Sequence, residues 1–253
     1  ILKAPRLLRH PLFLYSLLAC LVFYRCLFGG QAHFANDLLA QFAPWHDFLR
    51  SRLSEGHFPL WNPYLFGGQP CFADLQMMLL YPPNLLTLFF PAATGLTLFF
   101  ALHMVLAGWG MYRWLKSMKL SEGAGLLGGA AFSLSAFLGW EIIHPPVLAA
   151  FAWLPWLFEG LERLAQDLRA RRAFFAGLTF ALLFLGGSFQ ITLGAAYGGA
   201  LYFFFRRWIF LKRNDSHAQW KIRPLLVAGG FFLFGTLPLV GQLIPTEEFS
   251  KLS

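Results

Sequence analysis

The chain has 253 residues, of which 57% are hydrophobic, 18% aromatic and only 13% charged, and its mean hydropathy is +0.55. A soluble fold carries about a quarter charged side chains to cover its surface, so this composition excludes one, along with intrinsic disorder, a collagen repeat and a secreted disulfide scaffold. The net charge of +8 comes from basic residues that alternate with long apolar runs, which argues against a nucleic-acid module and gives those charges a topological meaning.

Apolar runs long enough to cross about 30 Å of hydrocarbon occur at residues 11–29, 94–114, 123–140, 147–162, 173–188, 190–210 and 224–244. The fifth and sixth share one unbroken stretch, divided here at Gly186-Gly187-Ser188 because it is nearly twice one crossing. The expectation is an all-α integral membrane protein with about seven transmembrane helices. With the N-terminus inside, sixteen of the twenty Lys and Arg residues fall in inner segments, among them Arg113, Arg163 and Arg206, and only Arg25, Arg50, Arg52 and Lys251 fall outside. The chain begins with Ile, and its first apolar run is too long for a signal peptide and lacks a cleavage site, so a preceding segment is expected.

The large polar excursion, residues 30–93, is therefore external. Leu38, Phe42, Trp45, Leu49 and Leu53 recur at helical spacing, which predicts a helix in the membrane interface, with Pro44 at its kink or start. A second interfacial piece is expected over Leu75–Pro91, interrupted at Pro82-Pro83-Asn84. Gly125, Gly129 and Ser133, and likewise Gly194 and Gly198, lie four apart and can admit close helix contacts. Pro238 predicts a kink in the seventh span. Cys20, Cys26 and Cys71 show no paired metal spacing, and the first two are expected as small buried hydrophobes.

External ionisable groups beside the membrane are the candidates for chemistry. They are Asp37, Asp47, Glu55 and Asp74 with His33, His46 and His57 in the first loop, Glu141 and His144 in the second, and Glu247 and Glu248 after the last span. Asp37, just beyond span one, suits a proton acceptor or cation ligand, and equally a helix N-cap. Glu141 and His144 can supply a second carboxylate and a metal or phosphate ligand, or form polar trim at a helix end. Arg25 is placed to meet a donor phosphate or to snorkel to headgroups. Trp45, Trp61 and Tyr64 can stack on sugar rings or serve as belt aromatics. Gln190 can bind a sugar hydroxyl or cap backbone groups, and His103 in span two is expected to face the bundle and hydrogen-bond to a neighbouring helix.

Several stretches carry a resemblance. Asn36-Asp37, Gln41-Phe42-Ala43-Pro44-Trp45, Gly56 to Tyr64, Phe66-Gly67-Gly68-Gln69-Pro70 and Tyr81 to Leu86 resemble the first external loop of the YfhO-type bacterial membrane proteins. Leu106 to Tyr112, Gly186 to Gln190 and Gln242 to Glu248 continue it over nearly the whole chain. These proteins are regarded as glycosyltransferases of the GT-C superfamily. The resemblance implies a seven-helix core of GT-C type, a cytoplasmic-membrane location with the large loop external, and a polyprenyl-phosphate-linked sugar donor. It also implies that the acidic residue of the first external loop, here Asp37, is catalytic, and it favours sugar binding at Gln190. Family members run longer, so a further C-terminal part or a separate chain is expected. No D-x-D or E-x-D pair occurs, which leaves a divalent cation open. The expected activity is sugar transfer to a cell-envelope acceptor, with Asp37 catalytic and Arg25, Glu141, His144, Gln190 and Trp61 binding substrate. The alternatives are a non-catalytic membrane scaffold subunit, possible other subunits being its partners, or a transporter. Against the transporter stands the lack of mid-membrane charges or broken helices.

Overall fold

The computed structural model describes residues 10–32, 36–65, 67–213, 243–244, 246–247 and 251. The expected seventh span with Pro238 therefore lies outside the described residues except at Leu243 and Ile244, as do His33 and Glu248.

The first apolar run is two helices, α1 (Pro11–Val22) and α2 (Tyr24–Phe28), bent at the buried Phe23. After a π-helical turn (Leu38–Phe42), α3 (Ala43–Ser54) starts with Pro44 in its first turn, where a missing N–H costs nothing. Leu38, Phe42, Trp45 and Leu49 are buried, but they face protein: Asp47 Oδ1 accepts from Ala92 N–H at 3.2 Å, tying α3 to the start of the next long helix. A two-residue antiparallel pair, β1 (Trp61–Asn62) with β2 (Gln69–Pro70), a 3-10 turn (Leu75–Met77) and α4 (Pro82–Thr87) complete the loop. The stretch expected to lie in the interface at Leu75–Pro91 instead contributes Met77, Leu79 and Tyr81 to the protein core. The same stretch leaves Leu86, Phe89 and Phe90 exposed, so only part of its apolar surface is covered by protein.

The long helices follow: α5 (Ala92–Ser117), α6 (Glu122–Ser133), α7 (Ala136–Trp140) leading into a 3-10 turn (Glu141–Ile143), α8 (Pro145–Gln166), α9 (Ala170–Leu185) and α10 (Phe189–Arg213). Among the described residues, two helical runs are long and apolar enough to cross a membrane, Ala92–Ser117 and Glu122–Ile143. α5 packs on α1, α6 and α8, and α8 on α9 and α10. The division between α9 and α10 is a turn at Gly186-Gly187-Ser188, where Gly187 adopts φ +94° and any Cβ would press on the Leu75 carbonyl, Met78 and Pro146.

Small residues seat α6: a Cβ on Gly129 would strike the Tyr15 hydroxyl and the Gly108 carbonyl, and one on Gly125 would strike Tyr112. Gly194 and Gly198 do not repeat this. Among the described residues both face open space, because α10 buries the neighbouring face, with Ala195, Gly199 against Leu161, and Phe203. Cys20 is exposed on α1 rather than buried, since α1 turns Tyr15 and Ala19 inward and Cys20 lies off that face. His103 is fully buried and bridges Tyr81 Oη at 2.6 Å and the Phe99 carbonyl at 2.6 Å, with Trp153 Nε1 donating to the same tyrosine oxygen at 2.7 Å.

Candidate functional site

Asn36 adopts the left-handed conformation at φ +48°, which Asn tolerates better than most residues. Leu39 and Ala40 N–H groups both bond to its carbonyl, and buried Leu38 and Phe42 anchor the π-helical turn behind it. Asp37 stands at the head of this turn, yet its backbone is already helical and its carboxylate makes no capping hydrogen bond. The side chain reaches instead to the turn before α8, where its Oδ2 lies 3.2 Å from His144 Nε2.

His144 is held from two sides. Pro145 and Pro146 open α8 and keep the preceding residue out of the helical region, so His144 has φ −123° and ψ 79°. Its backbone N–H bonds to the Glu141 carbonyl at 2.9 Å, and its Nδ1 lies 2.9 Å from Glu141 Oε2. The imidazole thus sits between two carboxylates, one at each ring nitrogen. If both carboxylates are ionised, both contacts are hydrogen bonds only when both nitrogens carry hydrogen; in the neutral ring one carboxyl must keep a proton.

Glu141 and His144, together with Phe42, Gln76, Ser188 and Gln190, line a cavity of about 460 Å³, a size in the range of small-molecule sites. Asp37 meets that wall through His144 without lining it. Gln41 Nε2 donates to Gln76 Oε1 at 3.2 Å, tying the π-helical turn to the cavity wall. The turn at Gly187 brings Gln190, in the first turn of α10, to the same cavity. Gln76 is a lining residue that the sequence reading passed over; a lone amide inside an otherwise apolar stretch was the available signal.

Two expected members of the site are elsewhere. Arg25 lies on α2 and donates from Nε to Tyr24 Oη at 2.9 Å, its guanidinium over the same ring, so the pair sits together at the surface. Trp61 belongs to β1, is 55% exposed, and lays its indole against Gly68. Neither lines the cavity. No Lys or Arg among the described residues lines it either. The other acids between α2 and α5 have structural partners: Asp47 caps α5, Glu55 pairs with Arg52 at 2.9 Å, and Asp74 caps the 3-10 turn through Gln76 N–H and accepts from Gln69. Burial raises the Asp74 carboxyl above its ordinary range, against the pull of these two donors. Near the chain end, Thr246 Oγ1 donates to the Ala73 carbonyl at 2.8 Å. Among the described residues, no group of three or more His, Cys, Asp and Glu gathers to hold a metal ion; the two carboxylates bind opposite nitrogens of one ring.

Comparison with curated proteins and with solved structures gave no match. The family described as "Bacterial membrane protein YfhO" matches residues 12–248. With all but the ends of the chain inside that match, and with apolar helices and a loop-borne polar cavity arranged as above, the chain belongs to the YfhO family of bacterial membrane proteins.

Proposed function

We propose that the chain is the core of a multi-pass glycosyltransferase of GT-C type in the bacterial cytoplasmic membrane, with about seven spans, the N-terminus inside and the cavity outside. It moves a sugar from a polyprenyl-phosphate-linked donor to a cell-envelope acceptor. The observation that carries this reading is the Asp37–His144–Glu141 chain at the cavity edge. Asp37 takes the proton of the acceptor hydroxyl as that oxygen attacks the sugar's anomeric carbon and the bond to the donor phosphate breaks. His144, oriented by Glu141, keeps the Asp37 carboxylate aimed. Gln190 and Gln76 hold sugar hydroxyls, and the apolar wall from Phe42 and Phe137 shields the reacting centre from water. The test is sugar transfer by membranes carrying the full-length protein: Asp37→Asn abolishes it while the protein still inserts, and transfer at the wild-type rate would refute the assignment.

A second reading, a non-catalytic membrane subunit that packs against partner helices, is favoured by one observation. The described cavity wall offers no Lys or Arg to the departing phosphate. Inactivity of the intact wild-type protein with every lipid-linked sugar tried would support it.

A further inference from the structure

The opposite end of the bundle carries a site that the transfer reaction does not use. α8 begins beside His144 and ends at Gln166, so Arg163 lies about 28 Å from His144 along the helix axis, close to the thickness of the hydrocarbon core. There the last turns of α5 and α8 and the first turn of α9 enclose a pocket of about 360 Å³ walled by Arg113, Arg163, Arg169, Arg171 and Arg172 beside Gly160 and Phe175.

Two carboxylates face these five cations. Buried Glu159 accepts from Arg113 Nε at 2.9 Å and from Arg163 Nε at 2.8 Å, and Asp167 lies 2.5 Å from Arg169 and 3.7 Å from Arg172. Arg171 is exposed and makes no ion pair or hydrogen bond among the described residues. The pocket therefore keeps a surplus of positive charge that an anion would relieve. Guanidinium groups present planar forks that match the oxygens of a phosphate. α9 also opens at this pocket without a capping side chain or an acidic residue in its first turn, leaving backbone N–H donors for the same ligand.

We propose that this arginine-walled pocket binds a phosphate group, either on an anionic lipid headgroup of the adjoining leaflet or on a soluble phosphate compound. Its place at the end of the bundle gives a headgroup direct entry, and pockets of this kind between helices suit anionic lipids. The proposal does not depend on the transferase reading.

The test uses the full-length protein in a non-ionic detergent, with native mass spectrometry reporting binding of phosphatidylglycerol, phosphatidylcholine and inorganic pyrophosphate, each offered alone. Phosphatidylglycerol or pyrophosphate should bind better than phosphatidylcholine, the first result marking a lipid source and the second a soluble one. Arg171→Gln should weaken that binding about ten- to a hundred-fold, the worth of one charge-assisted hydrogen bond, and its exposed, unpaired site leaves the fold intact. Lys212→Gln removes the same charge at the same end of the bundle, on α10 outside the pocket, and should leave binding unchanged. Equal loss in both variants, or no preference for either anionic probe, overturns the proposal. Arg163→Gln is unsuitable because it strips a partner from buried Glu159.

Discussion

Glu162→Leu should destabilise the bundle by about 3 kcal/mol, and adding Arg206→Leu should recover most of that loss. Glu162 is fully buried and accepts from Arg206 Nε at 2.7 Å and Nη2 at 2.6 Å, from Tyr202 Oη at 2.8 Å and from Gln166 Nε2 at 3.0 Å. Breaking a buried pair from one side costs about 3–5 kcal/mol, because the surviving charge keeps its desolvation without its partner. The lower end applies here. Arg206 is 24% exposed and can turn partly to water, Gln166 retains its bond to the Ser117 carbonyl, and Tyr202 still accepts from Trp114 Nε1. In the double variant no unpaired charge remains, and two leucines beside Tyr202 and Phe210 should bring the cost within about 1 kcal/mol of wild type. The assay is reversible unfolding in detergent followed by tryptophan fluorescence. Glu162→Leu as stable as wild type, or a double variant no better than the single one, would refute the reasoning.

Gly129→Leu should lower stability by about 1–3 kcal/mol through overpacking against Tyr15 and Gly108, whereas Gly194→Leu, which faces open space among the described residues, should be tolerated; thermal unfolding of both variants separates the two. His46 is buried on α3, and burial lowers its ring below the ordinary histidine value of 6.5. The unfolded chain thus binds a proton that the folded chain refuses, so stability is full above about pH 6.5 and falls as pH drops below it; His46→Gln should flatten that acid limb in unfolding titrations. With Cys20, Cys26 and Cys71 replaced, a cysteine at Tyr64 should react with an impermeant thiol reagent from outside and one at Lys212 only after permeabilisation. The reverse pattern would invert the orientation.

What could be read from the sequence follows from local periodicity and residue chemistry. The stripe Leu38, Phe42, Trp45, Leu49 marks a buried helical face whatever covers it, and two glycines before Ser188 mark a chain reversal. Spacing says nothing about what meets a face. It therefore gave Gly194 and Gly198 a helix contact that the described residues do not supply, and it could not tell that Leu79 and Tyr81 pack into protein while Leu86 and Phe89 of the same stretch stay exposed. Asp37 and His144 could each be nominated as polar groups at the outer surface. Their meeting, 107 residues apart in the chain, depends on how α3 and α8 pack around α5. Arg113 and Arg206 are legible as positive charge near helix ends. That each holds a buried glutamate of α8 some 45 residues away is a tertiary fact. Arg25 and Trp61 have suitable chemistry for a sugar-phosphate site, but neighbouring Tyr24 and Gly68 engage them first.

The central claim is that Asp37 and His144 act as one unit in sugar transfer. A double-mutant cycle on initial rates measures this directly in full-length protein, with the sugar-lipid donor saturating and membrane insertion matched. Asp37→Asn alone should slow transfer by about a hundred- to ten-thousand-fold, the usual worth of a general base. His144→Gln should slow it by less, and Asp37→Asn with His144→Gln should be no slower than Asp37→Asn alone, because residues that act together are non-additive. If the two losses multiply, or if Asp37→Asn transfers sugar at the wild-type rate, the 3.2 Å contact between these side chains has no part in the chemistry.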